Sequence, residues 1–264
     1  MCGLKFYIPF FYTYSTRMDS NLIGVLNWIS QYLFPILLII LFEKGFFPFV
    51  PFFVLILLLY TLYEIGYIQN DTETIKEEIS PTLRLSQNEL QYYENNKYFI
   101  YCFRLTFSLL LSFVLYYEMP KAFYSILMCW GMLGIYVLYN QVRGYITLFL
   151  HFLLMLMRYV SPVLLFIPSV SINLIFFLSV IYPLPAVLVR LAKGKIVNVS
   201  SISIFYLKDY KDRYLFVQRY YTFFLLVYVL LSLIVTSFAN WGYVMILAYF
   251  LARAIFFNLY IKHG

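Results

Sequence analysis

Apolar runs of about 20 residues follow one another along most of this chain, and they limit its fold more than any motif does. A run of that length spans a bilayer as a helix, because no water remains there to satisfy an open peptide group. The runs fall at 23–42, 47–67, 97–117, 122–140, 144–160, 163–190, 216–237 and 240–259. They predict an all-α polytopic membrane helix bundle of eight spans, or nine if the long stretch 163–190 divides. A tilt, or a kink at Pro183 or Pro185, would keep that stretch as one span. Residues 1–264 are expected to form a single transmembrane domain with polar loops at about 68–96 and 191–215. Charged residues make up 12% of the chain, against about 25% in soluble proteins. The net charge of +7 therefore reads first as a topology signal rather than as a nucleic-acid surface.

Cytoplasmic loops of membrane proteins are enriched in Lys and Arg. With the N-terminus inside, thirteen Lys and Arg fall on the cytoplasmic side; Lys44, Lys121 and Arg158 fall outside, and Arg104, Arg219 and Arg253 lie within spans. That orientation makes the N-terminus and both polar loops cytoplasmic. The opening MCGLKFYIPFFYTY has no small-residue cleavage site, so the expected location is a bacterial inner membrane. Cys2, Cys102 and Cys129 have neither metal-site nor disulfide spacing. Tyr and Phe number 28 each, and those near span ends read as an interfacial aromatic belt, with a minority able to line an isoprenoid pocket or face a carbocation.

Acid is concentrated in the polar breaks. Seven of the 12 Asp and Glu lie between Glu64 and Glu94, and Asp209 and Asp212 form a second group. If the second span continues as a helix, Glu64, Asp71 and Glu78 share a face at seven-residue spacing, and Glu73 and Glu77 share another. Asn70 adds a neutral oxygen beside Asp71. Carboxylate and carbonyl oxygens suit Mg2+, which keeps positions open for substrate phosphates. Lys76 and Arg84 would then reach the same phosphates, and Pro81 ends the helix near Ser80. Asp209 and Asp212 stand three residues apart among Lys208, Lys211 and Arg213, and Arg143 follows the fourth span on the same side. Taken singly, each cluster is also what a solvated loop would contain. Two acidic helix ends converging on one cavity, however, would hold metal ions around a diphosphate.

The order of these elements resembles the UbiA superfamily of intramembrane prenyltransferases. Asn70-Asp71 followed by Pro81 and Arg84 resembles the family's first Asp-rich motif, with Thr74 and Glu78 where the family has Asp. Asp209 and Asp212 resemble the second motif, without its usual Gly, and Tyr139 to Arg143 resembles a Tyr-x-x-x-Lys/Arg element. The resemblance implies a Mg2+-dependent transferase moving a polyprenyl group from a prenyl diphosphate to an acceptor. It makes Asn70, Asp71, Asp209 and Asp212 catalytic and gives Asn70, Asp71, Glu78, Asp209 and Asp212 to Mg2+, with Glu73 and Glu77 as alternatives. Lys76, Arg84, Arg143 and Lys211 would neutralise the diphosphate. Asn27 and Gln31 would contact the acceptor or pack helices together. Relatives in the superfamily use a polyprenyl phosphate as acceptor and a phosphosugar diphosphate as donor, which is the close alternative. A transporter or assembly protein without chemistry is the third reading; against it, the span interiors hold almost no ionisable group besides His151.

Overall fold

The computed structural model describes residues 3–18, 20–77, 81–167, 170–192, 210–234 and 240–263. Of the described residues 87% are helical, and none is in a strand. After a turn at Leu4–Phe6 come α1 (Phe11–Arg17), α2 (Leu22–Lys44), α3 (Phe49–Thr72), α4 (Gln87–Glu118), α5 (Phe123–Gln141) and α6 (Tyr145–Phe166). These are followed by α7 (Ile172–Ile181), α8 (Pro183–Ala192), α9 (Tyr210–Ile234) and α10 (Trp241–His263). Six helices are long and apolar enough to cross a membrane among the described residues, or seven if α7 and α8 count as one bent span. That pair bends by 42° at Tyr182–Pro183, where a kink is expected because Pro183 cannot continue the hydrogen-bond ladder. The stretch predicted at 163–190 begins later, at Ile172, since α6 runs on through Pro162 to Phe166.

Local sequence explains the helix ends. Asn21 caps α2 by accepting from the Gly24 N–H at 2.6 Å, and Ser171 caps α7 through the Leu174 N–H at 3.2 Å. Ser86 and Glu89 form a reciprocal capping box at the start of α4. Gly144 turns between α5 and α6 at a φ of +84°, a left-handed backbone that only glycine adopts freely.

α3 is the central helix. From Leu55 to Ile65 every residue but Leu57 is buried, whereas α4 turns Phe99, Leu109 and Phe113 outward, where lipid would lie. α5 crosses α3 at Gly66, whose added Cβ would sit 2.2 Å from the Tyr136 ring, so glycine is what allows this approach. The Gly66 carbonyl accepts from Asn140 Nδ2 at 3.0 Å.

The tyrosines depart from the belt expectation. Pro162 lies inside α6 and has no N–H to offer the Arg158 carbonyl four residues back; the Tyr32 hydroxyl donates to that carbonyl at 2.9 Å. α2 mirrors this arrangement. It contains a π turn at Ile29–Leu33 followed by Pro35, whose missing N–H would have served Gln31 in an α ladder or Ser30 in a π ladder. The Tyr159 hydroxyl donates to the Gln31 carbonyl at 2.8 Å and the Tyr249 hydroxyl to that of Ser30 at 2.7 Å. Pro185 leaves the Ile181 carbonyl open, and the Tyr221 hydroxyl takes it. Tyrosine hydroxyls from neighbouring helices thus close the gaps that prolines open, as the absence of water in a bilayer requires.

Candidate functional site

The spacing of Glu64 and Asp71 has a structural use. Seven residues of helix rise about 10 Å, which is also the length of the seven-residue α1. α1 lies along that edge of α3. At its start Glu64 accepts from the Phe10 N–H at 3.1 Å and the Thr13 N–H at 2.6 Å, a cap supplied by another helix. At its end Asp71 holds Arg17 in a two-pronged contact of 2.9 and 3.0 Å. Tyr12, Arg84 and Asn70 also donate to Asp71, at 3.0, 3.1 and 3.1 Å. Burial, and then the adjacent Asp71, push the Tyr12 phenol well above its ordinary range, so it remains a donor. Arg104 completes the clamp. Wholly buried, it donates to Glu64 at 3.0 Å and to the backbone oxygens of Phe6, Thr61 and Lys5.

The expected metal set fares as follows. Asp71 is 1% exposed and both its oxygens are occupied by donors, and Glu64 is 0% exposed and equally engaged. α3 ends at Thr72, so of the face expected from Glu64 onward it carries Glu64 and Asp71. Glu73 pairs with Lys76 at 2.9 Å and accepts from Tyr93 at 2.9 Å, Lys76 also pairs with Glu94 at 2.6 Å, and Glu77 is exposed. No group of three or more His, Cys, Asp or Glu that could hold a metal occurs among the described residues. As arranged, Asp71 is engaged by Arg17 and Arg84, Glu64 by Arg104, and Glu73 by Lys76. Glu78 and Asp209 lie outside the described residues, as do the side chains of Lys211 and Asp212.

One end of the bundle does gather several elements predicted to share a side. Asn140 donates to Gly66 and Gln69, and Arg143, exposed, bonds back to the Asn140 and Val142 carbonyls. Arg190 stands 5.4 Å over the Tyr139 ring. α9 runs antiparallel to α7 and α8, with Tyr220 bonded to Val180 and Tyr228 stacked near Phe176. Its Tyr210 end therefore points toward the same end as Arg190.

A polar cavity inside the bundle was not foreseen. It has a volume of about 190 Å³ and is lined by Thr13, Arg17, Met18, Gly24, Asn27, Trp28, Gln31, Tyr32, Tyr67, Arg158, Tyr159 and Tyr182. Asn27 also borders an apolar groove of about 890 Å³ between α2 and α10, walled by Ile23, Leu26, Phe34, Tyr249, Phe256 and others. Trp28 and the neighbouring Tyr60 border a second groove of about 670 Å³ between α2 and α3, with Leu37, Phe52 and Ile56. The first groove is in the size range of lipid or drug sites, and the cavity itself suits only a head group.

Arg158 corrects the sequence reading most sharply. The charge count puts it on the outer side, near the end of the span expected at 144–160, yet α6 continues to Phe166 and the side chain lies inside the bundle. Its guanidinium is 4.2, 5.2 and 5.3 Å from the ring centres of Tyr32, Tyr60 and Tyr63. One of its terminal nitrogens donates to the Tyr60 hydroxyl, which also accepts from Trp28 Nε1. Its Nε is buried with no acceptor. No carboxylate among the described residues pairs with it, whereas Arg104 has Glu64 and Arg17 has Asp71. A buried cation without a counter-ion costs several kcal/mol, and a desolvated ring face returns about 2 kcal/mol. The rings reduce the cost but supply no acceptor for the Nε proton.

Comparison with protein-family models, with curated proteins and with solved structures finds no match to this chain.

Proposed function

We propose that this protein is an intramembrane transferase for a lipid-borne phosphate, of the kind that moves a polyprenyl group from a prenyl diphosphate to an acceptor. One observation carries the reading: a cavity lined by Arg17 and Arg158 adjoins an apolar groove through the shared residue Asn27. A ligand with an anionic head and a long apolar tail matches that pair of spaces. The remaining helical segments, α7 with α8 and α10, complete the eight-span UbiA-like bundle that belongs to this reading. So does the cytoplasmic placement of the end bearing Asp71 and Arg143.

Arg17 and Arg158 bind and orient the phosphate groups and stabilise the negative charge that grows on the leaving diphosphate. The bond between the allylic carbon and the diphosphate oxygen breaks, and its electron pair leaves with the oxygen. An electron pair of the acceptor forms the new bond, and the proton that the acceptor loses departs with the diphosphate. Tyr159 and Tyr182 line the same cavity, and their rings are the groups that would stabilise the positive charge that develops on the allylic carbon. No step is assigned to Mg2+, given the engagement of Asp71, Glu64 and Glu73.

The phosphosugar alternative rests on Asn27, Gln31 and Thr13, neutral groups on the same wall that could meet sugar hydroxyls. Mass spectrometry of the lipid retained by purified protein, followed by release of diphosphate from a labelled prenyl diphosphate, tests the reading. A bound isoprenoid phosphate and diphosphate release are expected. Consumption of a phosphosugar diphosphate alone, with polyprenyl phosphate as acceptor, would favour the alternative. Absence of both would end the transferase reading.

A further inference from the structure

We propose that Arg158 is an anion anchor, a guanidinium left without a protein counter-ion so that a phosphate or diphosphate group of the ligand supplies one. The inference deepens the preceding reading of the cavity, on which it rests, by naming the group that recognises the charged head.

Three observations converge on it. Arg158 stands against the faces of Tyr32, Tyr60 and Tyr63, which orient a guanidinium without neutralising it. Its Nε is buried and keeps a proton with no acceptor, although the proline-orphaned carbonyls nearby are taken by the Tyr32 and Tyr159 hydroxyls. The side chain also lines the cavity that holds Arg17 and Asn27. An arginine carries five N–H donors in a rigid fork, and the fork matches the oxygens of a phosphate. The Tyr60 hydroxyl takes one of those donors and is itself shared with Trp28, so it cannot serve the rest. A cation retained in the membrane interior with no acid beside it marks a functional position by default.

Such an anchor leaves a signature that a structural arginine does not. Arg158→Gln removes an uncompensated charge, so the ligand-free protein should melt at an equal or higher temperature. The same variant should lose its response to the anion. The experiment uses the full chain, stripped of lipid in detergent. Melting is followed during titration with inorganic pyrophosphate and, separately, farnesyl diphosphate. The wild type is expected to melt at higher temperature with one or both. Response to pyrophosphate alone identifies a free anion as sufficient, and response only to farnesyl diphosphate identifies a lipid-borne head group. Arg158→Gln should weaken binding by about 10- to 100-fold, the loss typical of a charged hydrogen-bond partner. Arg158→Lys, which keeps the charge but not the fork, should fall between the two.

A wild type that responds to neither anion overturns the assignment. So does an unchanged response in Arg158→Gln, or a ligand-free Arg158→Gln that melts lower or fails to fold. The two readings fail separately. An Arg158-dependent shift without turnover would remove the transferase reading and leave the anchor, and full turnover in Arg158→Gln would remove the anchor alone.

Discussion

Replacing Tyr32 by Phe tests whether tyrosine hydroxyls close the proline gaps of this bundle. The substitution keeps the ring that faces Arg158 and removes only the hydroxyl that donates to the Arg158 carbonyl at 2.9 Å. That carbonyl lost its helical donor to Pro162, so after the change it has no partner. Hydrogen bonds between membrane helices average about 0.6 kcal/mol and reach about 1.7, while a buried polar group left unpaired costs about 1–3 kcal/mol. An expected loss of about 1–1.7 kcal/mol lies where those ranges overlap. Pro162→Ala restores an N–H at the position that α6 needs, so on that background Tyr32→Phe should cost less than about 0.5 kcal/mol. The difference, a coupling of about 1 kcal/mol, exceeds the roughly 0.3–0.5 kcal/mol scatter of independent sites. Reversible unfolding of the four proteins in mixed detergent micelles, read by far-ultraviolet circular dichroism, measures it. Additive losses would refute the argument, and so would a Tyr32→Phe penalty that survives in Pro162→Ala.

Other outcomes follow from the same geometry. Glu64→Gln leaves Arg104 buried without its charge partner and should destabilise by about 3–5 kcal/mol; limited proteolysis should then cut within residues 4–17, and continued protection of that segment would contradict the clamp. Asp71→Asn should loosen the Arg17 end of α1, raising amide hydrogen exchange there; a variant whose exchange is unchanged but whose Mg2+ affinity collapses would return Asp71 to the metal. Gly66→Ala drives a methyl into the Tyr136 ring and should cost about 1–3 kcal/mol, with the loss largely recovered when Tyr136 is trimmed to Leu; a thermal melt of the single and double variants checks both.

The helical class and the membrane setting were legible in the sequence because they depend on run length alone: about 20 apolar residues must cross as a helix whatever they pack against. The bend at Pro183, one of the two kinks offered for 163–190, was readable for a similar local reason, a missing N–H. The seven-residue spacing of Glu64 and Asp71 was also visible, and it does put both acids on one face. What that face meets was not visible. A carboxylate looks the same in sequence whether its partner is a metal, water or an arginine 54 positions away, as Arg17 is from Asp71. Glu64 could not be linked to Arg104, 40 residues on, until α3 and α4 stood side by side.

Arg158 shows the same division from the other side. Its sequence neighbourhood, a charge just before Pro162, resembles a span end, and a bulk charge count treats it as one more loop cation. Only packing reveals that α6 continues and that the charge faces three tyrosines and a cavity with no acid. Prolines 35, 162 and 185 were plain in the chain, and so were the 28 tyrosines. Their pairing was decided by which helices come together, since a carbonyl orphaned in one helix can be satisfied only by a hydroxyl that the fold brings from another. Length and hydropathy thus determined by themselves that this chain is a membrane helix bundle. Tertiary structure decided which charges cancel and that Arg158 stays without an acid among the described residues, because in a medium without water every polar group must find its partner through contact.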